Sequence, residues 1–120
     1  MKILVCEDDV SLLRMLELSL KELNIGEVVA AKNGREGMEH LKAQTFDLLI
    51  TDIHMPHNKG EDLLQLLRQE QKKNTPIIMM SSDGDEDVVA MAKRQGVNEF
   101  VKKPIKLDEL RRQVKKLLKL

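Results

Sequence analysis

The chain has 120 residues, with 20 Lys and Arg balancing 20 Asp and Glu, and hydrophobic residues make up 42% of it. That length suits one domain burying roughly two-thirds of its unfolded surface, and the apolar fraction excludes a disordered chain. Net zero charge gives no global attraction to nucleic acid or an anionic membrane, and no run approaches the ~20 apolar residues of a membrane span.

The N-terminal Met1-Lys2-Ile3-Leu4-Val5 runs into Glu7-Asp8-Asp9 without a small-residue cleavage site, so no secretory signal is expected. The single Cys6 excludes an internal disulfide and suits a reducing, cytoplasmic setting. Ile3-Leu4-Val5-Cys6 is the continuous apolar run that a strand covered on both faces requires. Val10, Leu13, Leu16, Leu20 and Leu23 then recur at helical spacing, and Asn24-Ile25-Gly26 supplies a stop. Val28-Val29-Ala30-Ala31 predicts a second strand, Asn33-Gly34 a turn, and Met38 with Leu41 a short helix. Phe46 to Thr51 forms the third run, followed by a loop from Asp52 to Gly60 that is rich in turn formers. Leu63, Leu64, Leu66 and Leu67 mark a third helix, broken by Thr75-Pro76 before a fourth strand, Ile77-Ile78-Met79-Met80. Val88, Val89, Met91 and Ala92 mark a fourth helix that Gly96 ends, and Phe100-Val101 a short fifth strand. After Lys103-Pro104, Leu107, Leu110, Val114, Leu117 and Leu118 define a last helix.

Alternating strand–helix units build a parallel sheet with helices on both faces, because each crossover is long and right-handed. The expected fold is therefore a doubly wound α/β sheet over residues 1–120 as a single domain. Periodicity leaves both usual strand orders open.

In such a sheet the strand C-terminal ends share one edge, where ligands bind. Glu7 and Asp8 follow strand one, Asp52 strand three, Ser81 and Ser82 strand four, and Lys103 strand five. Three carboxylates, a hydroxyl and an ammonium would thus meet in one pocket. Two charges about 4 Å apart repel by about 4 kcal/mol at an effective dielectric near 20, so gathered carboxylates call for a hard divalent cation. Such a cation, with Lys103 and Ser81, would let a phosphate approach an acidic pocket. The chemistry suggested is phosphoryl transfer to or from a carboxylate, Asp52 above all.

Four stretches carry a resemblance: Ile3-Leu4-Val5-Cys6-Glu7-Asp8-Asp9; Asp52-Ile53-His54-Met55-Pro56 with Gly60; Pro76-Ile77-Ile78-Met79-Met80-Ser81-Ser82; and Phe100-Val101-Lys102-Lys103-Pro104. In this order, each at its strand end, they make the whole chain similar to the response-regulator receiver domains of two-component signalling. The resemblance implies a five-stranded flavodoxin-like sheet of order 2-1-3-4-5. It implies that Asp52 accepts a phosphoryl group from a sensor histidine kinase or a histidine phosphotransfer protein. Mg2+, or Mn2+ in its place, would be held by Asp8, Asp52 and the His54 backbone carbonyl, with Glu7 acting through water. Lys103 and Ser81 would stabilise the phosphoryl group, Ser81 and Phe100 would form the switch, and the bond before Pro104 would be cis. His54 and Asp83 occupy the positions that adjust phosphoryl lifetime, and Ile105 stands where the family often has Phe. The implied module is not an enzyme, although it assists its own Mg2+-dependent phosphorylation and dephosphorylation. Its partners would be a downstream target protein or a fused output domain, engaged through the fourth helix, fifth strand and fifth helix. A phosphorylation-dependent dimer fits the same family, whereas direct nucleic-acid binding and membrane insertion do not.

Plainer roles compete at several positions. Asp9 is expected to cap the first helix, and Ser81, Ser82 or Asp83 could cap the fourth. His40, His54 and His57 lack zinc-site spacing and are expected in solvent, while Cys6 reads as a buried small hydrophobe. Phe46 belongs to the core. Arg111, Arg112, Lys115, Lys116 and Lys119 form a basic helical face that solvent would ordinarily cover. A flavin carrier on the same fold would need a Gly/Ser/Thr-rich loop where Glu7-Asp8-Asp9 stands, and ring-sandwiching aromatics from a chain without Trp or Tyr. An aspartyl phosphatase would place its nucleophile after strand one with a second Asp two places on, whereas here His54 lies two places after Asp52. A receiver that works without phosphorylation would not need the full acidic, hydroxyl and lysine set.

Overall fold

The computed structural model describes residues 1–55, 59–82 and 86–120. Strands β1 (Lys2–Cys6), β2 (Glu27–Ala31), β3 (Leu48–Asp52), β4 (Ile77–Ser81) and β5 (Glu99–Lys102) alternate with helices α1 (Val10–Lys21), α2 (Gly34–Ala43), α3 (Gly60–Gln65), α4 (Glu86–Arg94) and α5 (Leu107–Leu118). All strand pairs are parallel, in the order β2-β1-β3-β4-β5. This is the doubly wound, flavodoxin-like α/β sheet.

Strand burial follows the apolar runs. Every residue of β3 and β4 is buried, as is β1 from Ile3 onward. Period-two alternation then sends side chains to two separate cores. On one face Leu4, Cys6, Leu49, Ile77 and Met79 meet Leu41 of α2, Leu63 and Leu64 of α3, and Ala92 of α4. On the other, Ile3, Val5, Ile50, Ile78 and Met80 meet Leu13, Leu16 and Leu20 of α1 and Leu110 and Val114 of α5. Truncating a fully buried central residue such as Leu49 to Ala would cost about 3–5 kcal/mol.

The helix starts show why some boundaries differ from the expected ones. The Asp9 carboxylate accepts from the Ser11 and Leu12 N–H groups at 3.0 and 3.2 Å, so it caps α1. Asn33-Gly34 is no free-standing turn. Asn33 Oδ1 accepts from Glu36 N at 2.9 Å and Gly34 opens α2 directly, because Asn is as good an N-cap as a turn former. The third strand starts at Leu48, since Asp47 uses its carboxylate to accept from Lys2 N at 2.8 Å. Phe46 still packs into the core from outside the strand.

The third helix also departs from regularity. After Gln65 it continues as a π-helical turn, Leu66–Glu70, whose wider loop is closed by Gln71 N donating to Leu66 O at 2.8 Å. Leu63, Leu64, Leu66 and Leu67 are all buried, and Arg68, within the π-turn, reaches across the end of the sheet. No helix among the described residues is long and apolar enough to cross a membrane.

Candidate functional site

The parallel register places the strand ends side by side. Cys6 pairs with Thr51, and Asp52 with Met80, so Glu7 and Asp52 leave adjacent strands at the same edge. Glu7, Asp8 and Asp52 form a cluster in which one carboxylate oxygen of each lies within 4.8 Å of the others. Glu7 and Asp52 are buried, at 0% and 4% exposure, whereas Asp8 faces solvent. The pocket is therefore acidic at its base and open at one side.

Lys103 answers that charge. Its ammonium lies 2.5 Å from Asp52 Oδ2 and 2.8 Å from Glu7 Oε1, bridging the two buried carboxylates. It directly follows β5, before Pro104 and a cis peptide bond, and its side chain is only 22% exposed, unlike the usual surface lysine. Burial alone would lower the Lys103 pKa. Its hydrogen bond to Asp52 and its attraction to Asp52 and Glu7 outweigh that, so the net direction is upward. Glu7 moves the other way from an ordinary carboxylate. Burial, reinforced by repulsion from Asp52, lifts it to about 7 against the opposing pull of Lys103 and the Asp9 N–H.

The remaining partners hold the two carboxylates rigidly. Glu7 Oε2 accepts from Asp9 N at 2.9 Å, and Asp52 Oδ1 accepts from His54 N at 3.0 Å. Glu7 Oε1 is buried and receives no well-directed hydrogen bond, meeting Lys103 only as an ion pair. That orphaned oxygen, together with hard carboxylate donors, fits a divalent cation that keeps several of its waters. Charge agrees: three carboxylates against one ammonium leave a formal −2 when all are ionised.

The other expected residues fall as follows. Ser81 ends β4, 1% exposed, and its carbonyl accepts from Lys103 N at 2.8 Å, so β4 and β5 deliver hydroxyl and ammonium together. Phe100 sits opposite Met79 on β5, half-buried against the core that lies under α3 and α4. The His54 side chain is exposed beside Asp52. His40 is half-buried on α2. Asp83 and His57 lie outside the described residues. Cys6 is fully buried, and burial pushes its thiol pKa strongly upward, as an inert core position requires. On α5 the basic face is partly paired: Arg111 contacts Glu22 and Asp108 at 3.2 and 2.8 Å, and Lys116 contacts Glu99 at 2.9 Å.

Two supports escaped the sequence reading. The buried Thr51 hydroxyl donates to the Asp52 carbonyl at 3.0 Å. Gly60 presses against the same carbonyl so closely that a Cβ there would stand 2.3 Å from Asp52 O. Gly60 was visible as the residue closing the loop, but its contact depends on backbone approach, which a sequence does not display.

Known proteins supply an independent comparison. The chain matches the response regulator receiver domain over residues 3–115. The chemotaxis protein CheY of Pseudomonas aeruginosa is 30% identical over 118 residues, covering 98% of this chain and 95% of that protein. The response regulator protein PilR of the same organism is 32% identical over 119 residues; these are 99% of this chain but only 26% of PilR. The receiver domain of Francisella response regulator 1452 superposes with a TM-score of 0.91 at 29% identity, covering 98% of this chain and 96% of that one. With fold, strand-end edge and sequence all in agreement, the chain belongs to the response regulator receiver domain family.

Proposed function

We propose that residues 1–120 act as one receiver unit whose Asp52 accepts a phosphoryl group from a phosphohistidine of a sensor kinase or phosphotransfer protein. The acyl phosphate then changes protein binding on the α4–β5–α5 face. The observation that carries this reading is the Asp52 carboxylate itself: buried at a strand end, held by Lys103 and the His54 N–H, and flanked by Glu7 and Asp8.

In the reaction a carboxylate oxygen of Asp52 attacks phosphorus in line. An O–P bond forms, the N–P bond of the donor breaks, and the imidazole leaves with a proton from water. Asp8, Asp52 and the His54 carbonyl, with Glu7 through water, are the groups that would hold Mg2+ or Mn2+. When bound, the cation supplies positive charge against the phosphoryl oxygens. Lys103 follows the charge, exchanging its contact with Asp52 for a phosphoryl oxygen. Ser81 donates its hydroxyl to another oxygen, and Phe100 moves toward the space that Ser81 vacates. His54 and Asp83 set how readily water reaches the acyl phosphate. The result is a population shift between two packings of one face, so the module signals without turning over a substrate.

Incubation with acetyl phosphate and Mg2+ tests this. Intact-mass measurement should show one added phosphoryl group on the wild type and none on Asp52→Asn. An unlabelled wild type, or a fully labelled variant, would overturn the assignment. Amide shifts on the α4–β5–α5 face that stay unmoved on labelling would overturn the switch.

A further inference from the structure

The π-helical turn carries a charged side chain that the proposed chemistry does not use. Arg68 is half-buried, and its guanidinium reaches across the N-terminal end of the sheet. Nη1 donates to Lys73 O at 2.9 Å, and Nη2 to Thr75 O, Gly96 O and Asn98 Oδ1 at 2.7, 2.9 and 3.2 Å. Nε adds a weaker bond to Gly96 O at 3.3 Å. Every acceptor is neutral, and among the described residues no carboxylate pairs with it. A guanidinium held only by carbonyl dipoles, in a place where a neutral side chain would meet no uncompensated charge, points to geometry as its task.

Its targets are specific. Gly96 ends α4 at φ +108°, and a Cβ on it would lie 2.8 Å from Arg68 Nε, so the turn leaves room for the guanidinium. Asn98 binds the first residue of β4 twice: its N–H donates to Ile77 O at 3.0 Å, and its Oδ1 accepts from Ile77 N at 2.8 Å. Val97 N closes the end of α4 onto Ala92 O at 3.1 Å. One planar fork therefore joins the π-turn, the approach to β4, and the turn between α4 and β5. A lysine, with a single ammonium, could not span these acceptors. Ile77 and Ser81 are opposite ends of β4, about 13 Å apart at the usual rise per residue, so this latch does not touch the reacting groups.

We propose that Arg68 is a positioning residue that pins the C-terminal end of α4 and the following turn to the start of β4, making α4 a lever held at Gly96. Within α4, the lever, resting on the phosphoacceptor reading above, confines the response to Asp52 chemistry to the N-terminal part of the helix, which follows Ser81 in the chain.

Residue-resolved hydrogen exchange on the full chain tests the latch. Arg68→Lys should speed exchange of the Ile77, Val97 and Asn98 amides at least tenfold while leaving Leu4 and Val5 of β1 unchanged. Gly96→Ala should give the same local pattern, and the double variant should add little to either. Unchanged protection at those three amides, or a uniform rise over all amides, would overturn the latch. The lever is read after acetyl phosphate and Mg2+. Arg68→Lys should label at the wild-type rate within about twofold, as a residue remote from the chemistry must. Its phosphorylation-induced shifts should extend through residues 94–98, where those of the wild type stay small. Equal shifts there in both proteins would overturn the lever. A wild type that takes no label removes the phosphoacceptor reading and the lever with it, while the exchange measurement still decides the latch.

Discussion

Glu7→Gln should make the protein more stable at alkaline pH while weakening the site. In the metal-free protein the Glu7 carboxyl has a pKa of about 7, against 4.5 for an ordinary glutamate. The cause is first its burial and then repulsion from Asp52, only partly offset by Lys103 and the Asp9 N–H. A carboxyl whose folded pKa lies above its unfolded pKa binds more protons folded than unfolded between those values. Its contribution is therefore fully present below about pH 4.5 and is lost as pH rises through about 7. A displacement of that size corresponds to about 3 kcal/mol. Coulomb's law sets the scale of the Asp52 repulsion alone: two carboxylate charges within 4.8 Å repel by at least about 3 kcal/mol at an effective dielectric of 20, before Lys103 offsets it.

Gln keeps the shape and removes the charge. Its single amide oxygen cannot serve both the Asp9 N–H and Lys103 as well as the carboxylate does, which returns about 1 kcal/mol. Urea unfolding in EDTA, followed by far-UV circular dichroism because the chain has no Trp or Tyr, measures the difference between variant and wild type. The variant should be less stable by about 1 kcal/mol near pH 4.5 and more stable by about 2 kcal/mol near pH 8. Added Mg2+ should stabilise the wild type more than the variant at the higher pH, since the cluster then holds one negative charge fewer in the variant. A difference that stays flat from pH 4.5 to 8 would refute the electrostatic account of this pocket.

Three further outcomes follow from the same geometry. Gly60→Ala drives a Cβ into the Asp52 backbone, so urea unfolding should show a loss of about 2 kcal/mol and Mg2+ titration by amide shifts a weaker affinity. Lys103→Met leaves Glu7 and Asp52 buried without a cation; it should destabilise by about 3 kcal/mol near pH 8, less near pH 5 where Glu7 is protonated, and slow labelling by acetyl phosphate at least tenfold. Cys6, fully buried with its thiol pKa pushed up, should resist an aromatic disulfide reagent in the native protein and react at once in urea.

How far the fold could be read depended on how local its causes are. Ile3-Leu4-Val5-Cys6 and Ile77-Ile78-Met79-Met80 announce strands because they are short, bounded by polar or breaking residues, and apolar on both faces, as a doubly covered strand requires. Asn33-Gly34 misled because one side-chain oxygen serves a turn and a helix cap equally well. The π-turn was hidden for a similar reason: leucines at positions 63, 64, 66 and 67 share one face of a regular helix, so their spacing carries no sign of the wider turn that begins at Leu66. Glu7, Asp8, Asp52, Ser81 and Lys103 could be placed in one pocket from topology, since strand C-terminal ends share an edge. What topology could not supply is that Lys103 bridges Glu7 and Asp52, or that Arg68 reaches four acceptors. Those contacts are set by side-chain reach across residues that are far apart in sequence.

The cost of the acidic cluster also explains its surroundings. Cys6 faces Thr51 in register, which leaves Glu7 and Asp52 little freedom to separate without breaking the β1–β3 ladder. The strands carry the repulsion because their own stability comes from elsewhere, from two apolar cores in which nearly every β1, β3 and β4 side chain is buried. Asp8, exposed at the mouth of the pocket, can adjust to whatever enters; Glu7 and Asp52 cannot. A pocket built this way is destabilised until positive charge arrives, and Lys103 supplies only half of what three ionised carboxylates would need beyond a single remaining negative charge. Net neutrality of the whole chain conceals this imbalance, because the cations that balance the sum stand on surfaces such as α5 and not at the strand edge. The unrelieved charge is what makes the edge responsive: any cation or phosphoryl group that changes it acts on rigid strands, so the change must appear in the helices and turns that follow them.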